Sequence, residues 1–368
     1  MKASFFLPVF VFALAVSDGI AATNVGNSAL SDVFRHDGLV ALDAEIEQAI
    51  TQSTILGGVL WVERNGVAYH KALGLRATGP EPETMTEDTI FDVASITKVV
   101  ATTSAIMLCA ERKLLSLDDP VSKYVPKFTG EGRDKITIRH LLLHTSGLPV
   151  NLDPKMQPFS SPDEAVALAC KEKPSFEPGS AYAYSSVGFM ILGVVIERAT
   201  GRALDEYCTT EIFHPLQMND TEFHPSRDRL RRVSPTSAPK RGQVDDKMAR
   251  AMGGVAGHAS LFTTASDLAR FARMMLNLGE LDQVRIFRPE TINLLSGVQT
   301  PAGLRSPVAG NMLTRRGLGW NIDSPFDAAP HAYSLQRGAI FPVGSYGHAG
   351  WTGQMLWIDP FSQTFIIF

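Results

Sequence analysis

Residues 91–110, FDVASITKVVATTSAIMLCA, are apolar on every face of the helix that they predict. Asp92 is placed to cap this helix, and residues 99–110 lack the polar stripe of a surface helix. Such a helix has to be buried in a sizeable domain. Two polar side chains nevertheless stand near its start, Ser95 and Lys98, and their spacing of three puts them on one face.

This pair has the layout of an activated serine. Ser95 is near the positive end of the helix dipole. Partial burial would lower the pKa of Lys98 from about 10.4, so that its amine could take the proton of Ser95 Oγ. The same Ser-x-x-Lys spacing recurs at Ser237 and Lys240, but prolines within that segment break any helix that could align the two side chains. The spacing alone therefore does not identify a site.

Strand signals lie at the two ends of the chain. Residues 39–52 show helical periodicity, and two β-rich runs joined by the turn Asn65-Gly66 then predict a hairpin. Strand signals return at residues 345–368. Helical patterns fill the middle of the chain, at residues 136–149, 161–173, 187–200 and 256–279, the last with Ser266 as the expected cap.

This order predicts an α+β fold with one antiparallel sheet built from both chain ends and a mostly helical insertion between them. We expect one domain over residues 33–368. Its sheet part would cover about 39–90 and 335–368, and its helical part about 91–334.

The composition is that of a globular protein, with 45% hydrophobic and 20% charged residues among 368. A net charge of -4 provides no basic surface, which argues against nucleic acid as a partner. Residues 1–22 combine a basic start, an apolar run and small residues at the end, which predicts a signal peptide. We expect a periplasmic or secreted protein with no stable membrane span after signal removal.

The cysteines have no metal-type spacing, and two histidines have the spacing of a metal-binding helix but no further ligand. Cys109, Cys170 and Cys208 are read as small core residues, with a disulfide between the last two as the alternative. His140 and His144 are four residues apart, but no third ligand is indicated, so no metal site is expected.

A Ser-Lys pair needs a second proton shuttle and an oxyanion hole. Tyr184 follows a Pro-Gly turn and directly precedes a helix, where its hydroxyl could reach a cleft. The segment GHAGWTG, residues 347–353, places glycines on a strand, which lets a substrate backbone approach closely.

These motifs in this order resemble the serine β-lactamase and penicillin-binding-protein superfamily, and more narrowly its class C-related serine hydrolases. The similarity runs from about residue 39 to the end and includes FDVASITKVVATT, ITIRHLLLHTSGLP, PGSAYAYSS, GGVAGHASLFTTASDLARFARMML, RRGLGWNID and GHAGWTGQMLWIDP. The resemblance implies a β-lactamase/transpeptidase-like fold and a serine hydrolase without metal or cofactor. Its substrate would be a small-molecule or peptide-like ester or amide.

Position by position, the resemblance implies Ser95 as nucleophile, Lys98 as its base and Tyr184 as the proton relay to the leaving group. The backbone N–H groups of Ser95 and Trp351 would form the oxyanion hole. The reaction would proceed through an ester on Ser95 and end in hydrolysis.

The expected substrate-binding residues depart from the family pattern. Ser186 stands where Asn or Asp is usual, and Ala349, between His348 and Gly350, replaces a Thr. Loss of that hydroxyl and of a cationic side chain predicts weak action on substrates that carry a free carboxylate. The chain also ends at Phe368, inside an expected central strand and before the family's closing C-terminal helix, so we expect a fragment with an exposed apolar face.

Two alternatives remain open at this point. The chain could be a non-catalytic binding or sensing module that keeps the fold, which Ser186 and Ala349 favour. His258, in GGVAGHAS, is read as structural, with lining of the cleft as its alternative.

Overall fold

The computed structural model describes residues 30–152, 158–308, 310–323 and 341–368. The predicted signal peptide, residues 1–22, lies outside the described residues. The helices are α1 (Leu30–Val33), α2 (His36–Thr51), α3 (Ser104–Glu111), α4 (Ile138–Leu142), α5 (Pro162–Ala169), α6 (Ser186–Thr200), α7 (Leu204–Cys208), α8 (Lys247–Ala251), α9 (Ala265–Leu276) and α10 (Pro289–Ser296).

The strands are β1 (Gly57–Arg64), β2 (Val67–Ala77), β3 (Glu83–Thr84), β4 (Phe91–Asp92), β5 (Phe262–Thr263), β6 (Glu280–Leu281), β7 (Val284–Arg285), β8 (Arg305–Ser306), β9 (Met312–Leu313), β10 (Arg315–Arg316), β11 (Asn321–Asp323), β12 (Tyr346–Ala349), β13 (Met355–Asp359) and β14 (Thr364–Ile367). Eight of them form one sheet in the order β10-β11-β12-β13-β14-β1-β2-β3.

This sheet joins the two ends of the chain, as the sequence predicts. β14 pairs antiparallel with β1, with Trp61 opposite Ile367, so the last strand lies in the interior of the sheet. The predicted hairpin is β1–β2, and its turn residues Asn65 and Gly66 have φ values of 51° and 78°. Both values are positive, as a type I′ turn requires.

Helices cover the sheet and bury the core. α9 packs against β1, β13 and β14, and α6 packs against α3, α4 and α5. Residues 94–111 form a helical stretch long and apolar enough to cross a membrane, but 83% of it is buried inside the protein. Its all-round apolar surface is therefore explained by the core of this domain.

Two expectations about the middle of the chain are wrong in detail. β10 and β11 belong to the main sheet although they precede residue 335, because they extend it beyond β12. Thr264, and not Ser266, caps α9, since its side chain accepts the N–H of Asp267.

The three cysteines are free: Cys109 and Cys208 are buried and Cys170 is half-buried, so the disulfide alternative is not formed.

Candidate active site

Ser95 stands at the start of the buried helical stretch, on a 3₁₀ turn, Ala94–Ile96. A π-helical segment, Lys98–Thr103, follows and leads into α3. π-helical turns are rare and occur frequently at functional sites. The first turns of the predicted α-helix are therefore 3₁₀ and π-helical instead. Ser95 and Lys98 still lie on one face of it.

Asp92 supports this turn without being its N-cap, which is Val93. The predicted capping role is therefore wrong. The Asp92 carboxylate accepts the N–H of Ala94 at 2.9 Å and the N–H of Asp245 at 2.7 Å. Ala94 has a φ of 45°, which is costly for a residue other than glycine, and the first bond holds it there. Burial raises the pKa of Asp92 to about 6, although both N–H groups favour the charged form.

The side chains of Ser95, Lys98 and Tyr184 meet at one oxygen. Lys98 Nζ donates to Ser95 Oγ at 2.9 Å, and the Tyr184 hydroxyl donates to the same Oγ at 3.0 Å. Lys98 Nζ also donates to the backbone carbonyl of His258 at 2.6 Å. The three residues predicted to carry the chemistry are therefore within direct hydrogen-bond distance across 89 residues of chain.

Lys98 is fully buried, and burial lowers its pKa to about 7. Removing an ammonium from water disfavours its charged form. Asp246 acts in the opposite direction, and the buried Arg316 guanidinium adds to the lowering. The amine lies over the Tyr184 ring at 5.0 Å from its centroid. A lysine in this state exchanges a proton readily near neutral pH.

Tyr184 is held by the start of α6 and by His144. Ser185 caps α6, accepting the N–H of Gly188 at 3.0 Å, and donates its hydroxyl to the carbonyl of Pro149 at 2.7 Å. His144 Nδ1 accepts the N–H of Ser185 at 3.0 Å, and its ring lies 4.4 Å from the Tyr184 ring. Burial lowers the pKa of His144 well below its usual value, so the ring is neutral.

The two histidines of the 136–149 segment do different work. His140 Nδ1 accepts the N–H of Thr137 at the start of α4, and His144 faces Tyr184. Among the residues that the structure describes, no group of His, Cys, Asp or Glu could hold a metal ion.

The third motif lies at the end of β12, next to the Ser95 turn. A Cβ on Gly350 would lie 2.7 Å from the carbonyl oxygen of Val93, so only glycine fits this contact. His348 is buried, and its Nδ1 hydrogen-bonds the carbonyl of Ala349 at 2.8 Å. Burial lowers the pKa of His348 to about 3. This position of the motif therefore carries no positive charge at neutral pH.

Two further predicted residues flank this arrangement. The Trp351 side chain is 71% exposed directly after Gly350, and the role of its N–H in an oxyanion hole stays a prediction. Ser186 is the buried first residue of α6, and its N–H donates to the carbonyl of Val150 at 2.8 Å. Its role in substrate binding also stays a prediction.

One pair next to Lys98 was not found from the sequence. His258 Nε2 lies 3.0 Å from Asp246 Oδ1, and the carbonyl of the same histidine accepts from Lys98. His258 is 1% exposed. The available signal was the glycine run before it, since a Cβ on Gly257 would lie 2.3 Å from the carbonyl of Phe189. Such glycines mark close backbone packing.

The chain is similar in sequence to a known protein family and to named relatives. The sequence model of the family described as "Beta-lactamase" matches residues 42–368. A protein of Escherichia coli K12 named "Putative D-alanyl-D-alanine carboxypeptidase" is 29% identical over 379 residues, which covers 91% of this chain and 82% of the relative.

Solved structures share the fold. EstCE1, "a hydrolase with promiscuous acyltransferase activity", superimposes with a TM-score of 0.71 at 22% identity and covers 89% of this chain and 92% of its own. A class C β-lactamase from Rhodobacter sphaeroides gives a TM-score of 0.67 at 20% identity, with coverage of 89% and 92%. At these identities the likeness concerns the fold alone.

Proposed function

Because the chain belongs to the beta-lactamase family, and is a serine hydrolase by that membership, we propose that it acts by acyl transfer through an ester on Ser95. Lys98 is the base, Tyr184 is the proton relay, and the substrate is an ester or amide. Export to the periplasm or the medium is part of the proposal and rests on residues 1–22.

The reaction begins with neutral Lys98, which takes the proton of the Ser95 hydroxyl as Oγ attacks the substrate carbonyl. The N–H groups of Ser95 and Trp351 stabilise the resulting oxyanion. Tyr184 delivers a proton to the leaving group, whose bond to the acyl carbon breaks, and the Lys98 ammonium then returns its proton to Tyr184. Water then attacks the ester and releases the acid product. Ser95 regains its hydroxyl and is ready for the next cycle.

One observation carries the proposal: Ser95 Oγ lies within hydrogen-bond distance of both Lys98 Nζ and the Tyr184 hydroxyl, in a buried environment that lowers the pKa of Lys98 to about 7. A non-catalytic module would have no use for a desolvated lysine at this cost in stability. The alternative of a binding or sensing module is therefore disfavoured, and the test below includes it.

The substrate is proposed to be an uncharged acyl ester, or an amide without a free carboxylate. His348 is neutral at pH 7 because its pKa is about 3, and Ala349 has no hydroxyl to donate. Arg316 is buried and donates to Tyr182 and to the carbonyl of Gly319. A charge-assisted hydrogen bond to a carboxylate contributes about 1.5 to 3 kcal/mol, and its loss lowers kcat/KM by about one to two powers of ten. The name of the Escherichia coli relative suggests a cell-wall peptide as substrate. Such a peptide would need another positively charged side chain to bind its free carboxylate.

The nucleophile is tested with a fluorophosphonate probe and mass spectrometry. We expect one adduct, on the peptide that contains Ser95, and none in Ser95→Ala. Absence of any adduct in the folded wild-type protein would support the non-catalytic module instead.

The substrate class is tested by rates on a short-chain p-nitrophenyl ester and on a chromogenic cephalosporin. We expect the ester to be the better substrate. A cephalosporin kcat/KM above about 10⁵ M⁻¹s⁻¹, which is typical of efficient enzymes, would contradict the argument from His348 and Ala349.

A further inference from the structure

Lys98 is connected to a carboxylate through a single residue. Its Nζ donates to the backbone carbonyl of His258 at 2.6 Å, and the side chain of the same histidine reaches Asp246 Oδ1 at 3.0 Å. Asp246 also accepts the N–H of Ala249 at 2.7 Å and so caps α8. Two hydrogen bonds, one to the backbone and one to the side chain of His258, thus link the amine to the carboxylate through this residue.

We propose that Asp246 and His258 are positioning residues for Lys98: together they fix the carbonyl that aims its amine at Ser95, and Asp246 provides a negative charge that keeps this amine basic enough to act. The inference rests on the proposed role of Lys98 as the base. It assigns no contact with substrate to either residue.

The positioning part follows from packing. His258 is 1% exposed, and the strand pair β4–β5 holds its segment beside the Ser95 turn, with the N–H of Val93 donating to the carbonyl of Leu261 at 3.0 Å. The Asp246 contact fixes the His258 ring, and the ring fixes the direction of its own carbonyl. Reacting groups that are misplaced by about 1 Å can lose about a hundredfold in rate.

The electrostatic part follows from the charges around the amine. Arg316 is positive and lowers the pKa of Lys98, and Asp246 is negative and raises it. His144 and His348 have lowered pKa values and are neutral, and the Tyr184 hydroxyl donates to Ser95 Oγ. Burial would raise the pKa of Asp246, but His258, the Ala249 N–H and Lys98 together hold it below its usual range. Asp246 is therefore charged throughout the working range of the enzyme.

The test is the pH dependence of kcat/KM for a p-nitrophenyl ester in Asp246→Asn. Loss of the negative charge makes Lys98 lose its proton more readily, so the midpoint of the acid limb should move to lower pH by about 0.5 to 1 unit. The rate on the plateau should fall about tenfold, because a less basic amine is a weaker base, with little change in KM. A residue with only a structural role would lower the rate without moving the midpoint.

Asp245→Asn is the matched control, since it makes the same chemical change one residue away. The Asp245 side chain accepts from Ser237, and the charges that shift the pKa of Lys98 are those of Asp246 and Arg316, so wild-type midpoint and rate are expected. His258→Gln keeps an N–H donor for Asp246 and should retain the wild-type rate and midpoint. His258→Leu keeps the Asp246 charge but loses the contact that fixes the carbonyl, so kcat should fall with little change in the midpoint. This second pair carries the test if Asp246→Asn does not fold.

Two failures are distinguishable. If Lys98→Ala keeps full activity, the proposed function is wrong and the inference falls with it. If Lys98→Ala is inactive while Asp246→Asn keeps the wild-type midpoint, or, where Asp246→Asn does not fold, His258→Leu keeps the wild-type kcat, the inference alone is overturned.

Discussion

Two lysines of this protein make equally short hydrogen bonds and end up with opposite properties. Lys71 Nζ donates to the carboxylate of Asp43 at 2.6 Å, its side chain is 40% exposed, and this bond raises its pKa. Lys98 Nζ donates to a carbonyl at 2.6 Å and a hydroxyl at 2.9 Å, both neutral, and burial lowers its pKa.

The difference shows what converts a lysine into a base. A carboxylate in direct contact stabilises the ammonium and keeps the proton bound. Neutral acceptors orient the amine just as well but do not offset the cost of burying its charge. At Lys98 the carboxylate of Asp246 is set back behind His258, which leaves the amine both oriented and easily deprotonated.

The largest expected effect is the loss of activity in Lys98→Ala compared with Lys71→Ala. Lys98→Ala should lower kcat by about 10² to 10⁴, the usual contribution of a positioned base. Lys71→Ala should change kcat by less than about twofold, because exposed ion pairs contribute little. Steady-state kinetics on a p-nitrophenyl ester, with circular dichroism as the folding check, measures both. Equal losses would remove the distinction between the two lysines.

Tyr184→Phe should cost about the same as Lys98→Ala, because both side chains contact Ser95 Oγ. The double variant should be only slightly worse than either single variant, since groups that act as one unit are not additive. Multiplicative losses in the double variant would show that the two residues act independently.

The pH profile should separate the same two lysines. Lys98 must be neutral to accept the Ser95 proton, and its pKa is about 7. Below that pH, kcat/KM should fall about tenfold per unit, and above it a plateau should follow. Lys71 does not titrate in this range because its pKa is raised. Rates between about pH 5 and pH 9, corrected for uncatalysed hydrolysis, provide the measurement. A flat profile would exclude Lys98 as the base.

Lys98 should also reduce the stability of the fold. Its pKa is 10.5 in the unfolded chain and about 7 in the folded protein, so between these values the unfolded chain binds one more proton. Stability therefore rises with pH across this window, and the cost of burying Lys98 is complete below pH 7. Lys98→Met should raise the free energy of unfolding there by about 1 to 3 kcal/mol.

This gain should shrink as the pH approaches 10.5, where the unfolded chain also loses its proton. Urea unfolding at several pH values would measure it. Lys71→Met is the control and should lose stability slightly, because it breaks the Asp43 contact. A Lys98→Met protein that is less stable than the wild type below pH 7 would contradict the expected increase in the free energy of unfolding.

The sequence was sufficient for the sheet strands β1, β2, β12, β13 and β14 and for the three side chains at Ser95, but not for β10 and β11. β-rich runs, an Asn-Gly turn and an all-apolar helix are local patterns, and each predicts the structure of its own segment. The order of the motifs then related Ser95 to Tyr184. Contacts that depend on how one segment lies against another were out of reach, as Asp246 and His258 show.

Local geometry was also harder to predict than the existence of elements. The Ser95 turn is 3₁₀ and then π-helical, and the Asp92 carboxylate beside it binds both the neighbouring N–H of Ala94 and the N–H of Asp245 from a distant segment. The N-cap of α9 was also hard to predict. Thr264 and Ser266 are both residue types that favour this position, and only the backbone conformation shows that Thr264 occupies it.

The smallest expected effect concerns the second Ser-x-x-Lys spacing. Ser237 donates its hydroxyl to Asp245 Oδ1 at 2.6 Å, an exposed contact, and the segment that joins it to Lys240 forms no helix. Its hydroxyl is thus engaged with a carboxylate and has no buried lysine aligned with it. Ser237→Ala should leave kcat/KM for the p-nitrophenyl ester unchanged within about twofold, and it should cost less than about 0.5 kcal/mol of stability, as is usual for surface substitutions. A loss comparable to that of Lys98→Ala would mean that burial and helical alignment, the two properties that separate Ser95 from Ser237, do not decide which serine is the nucleophile.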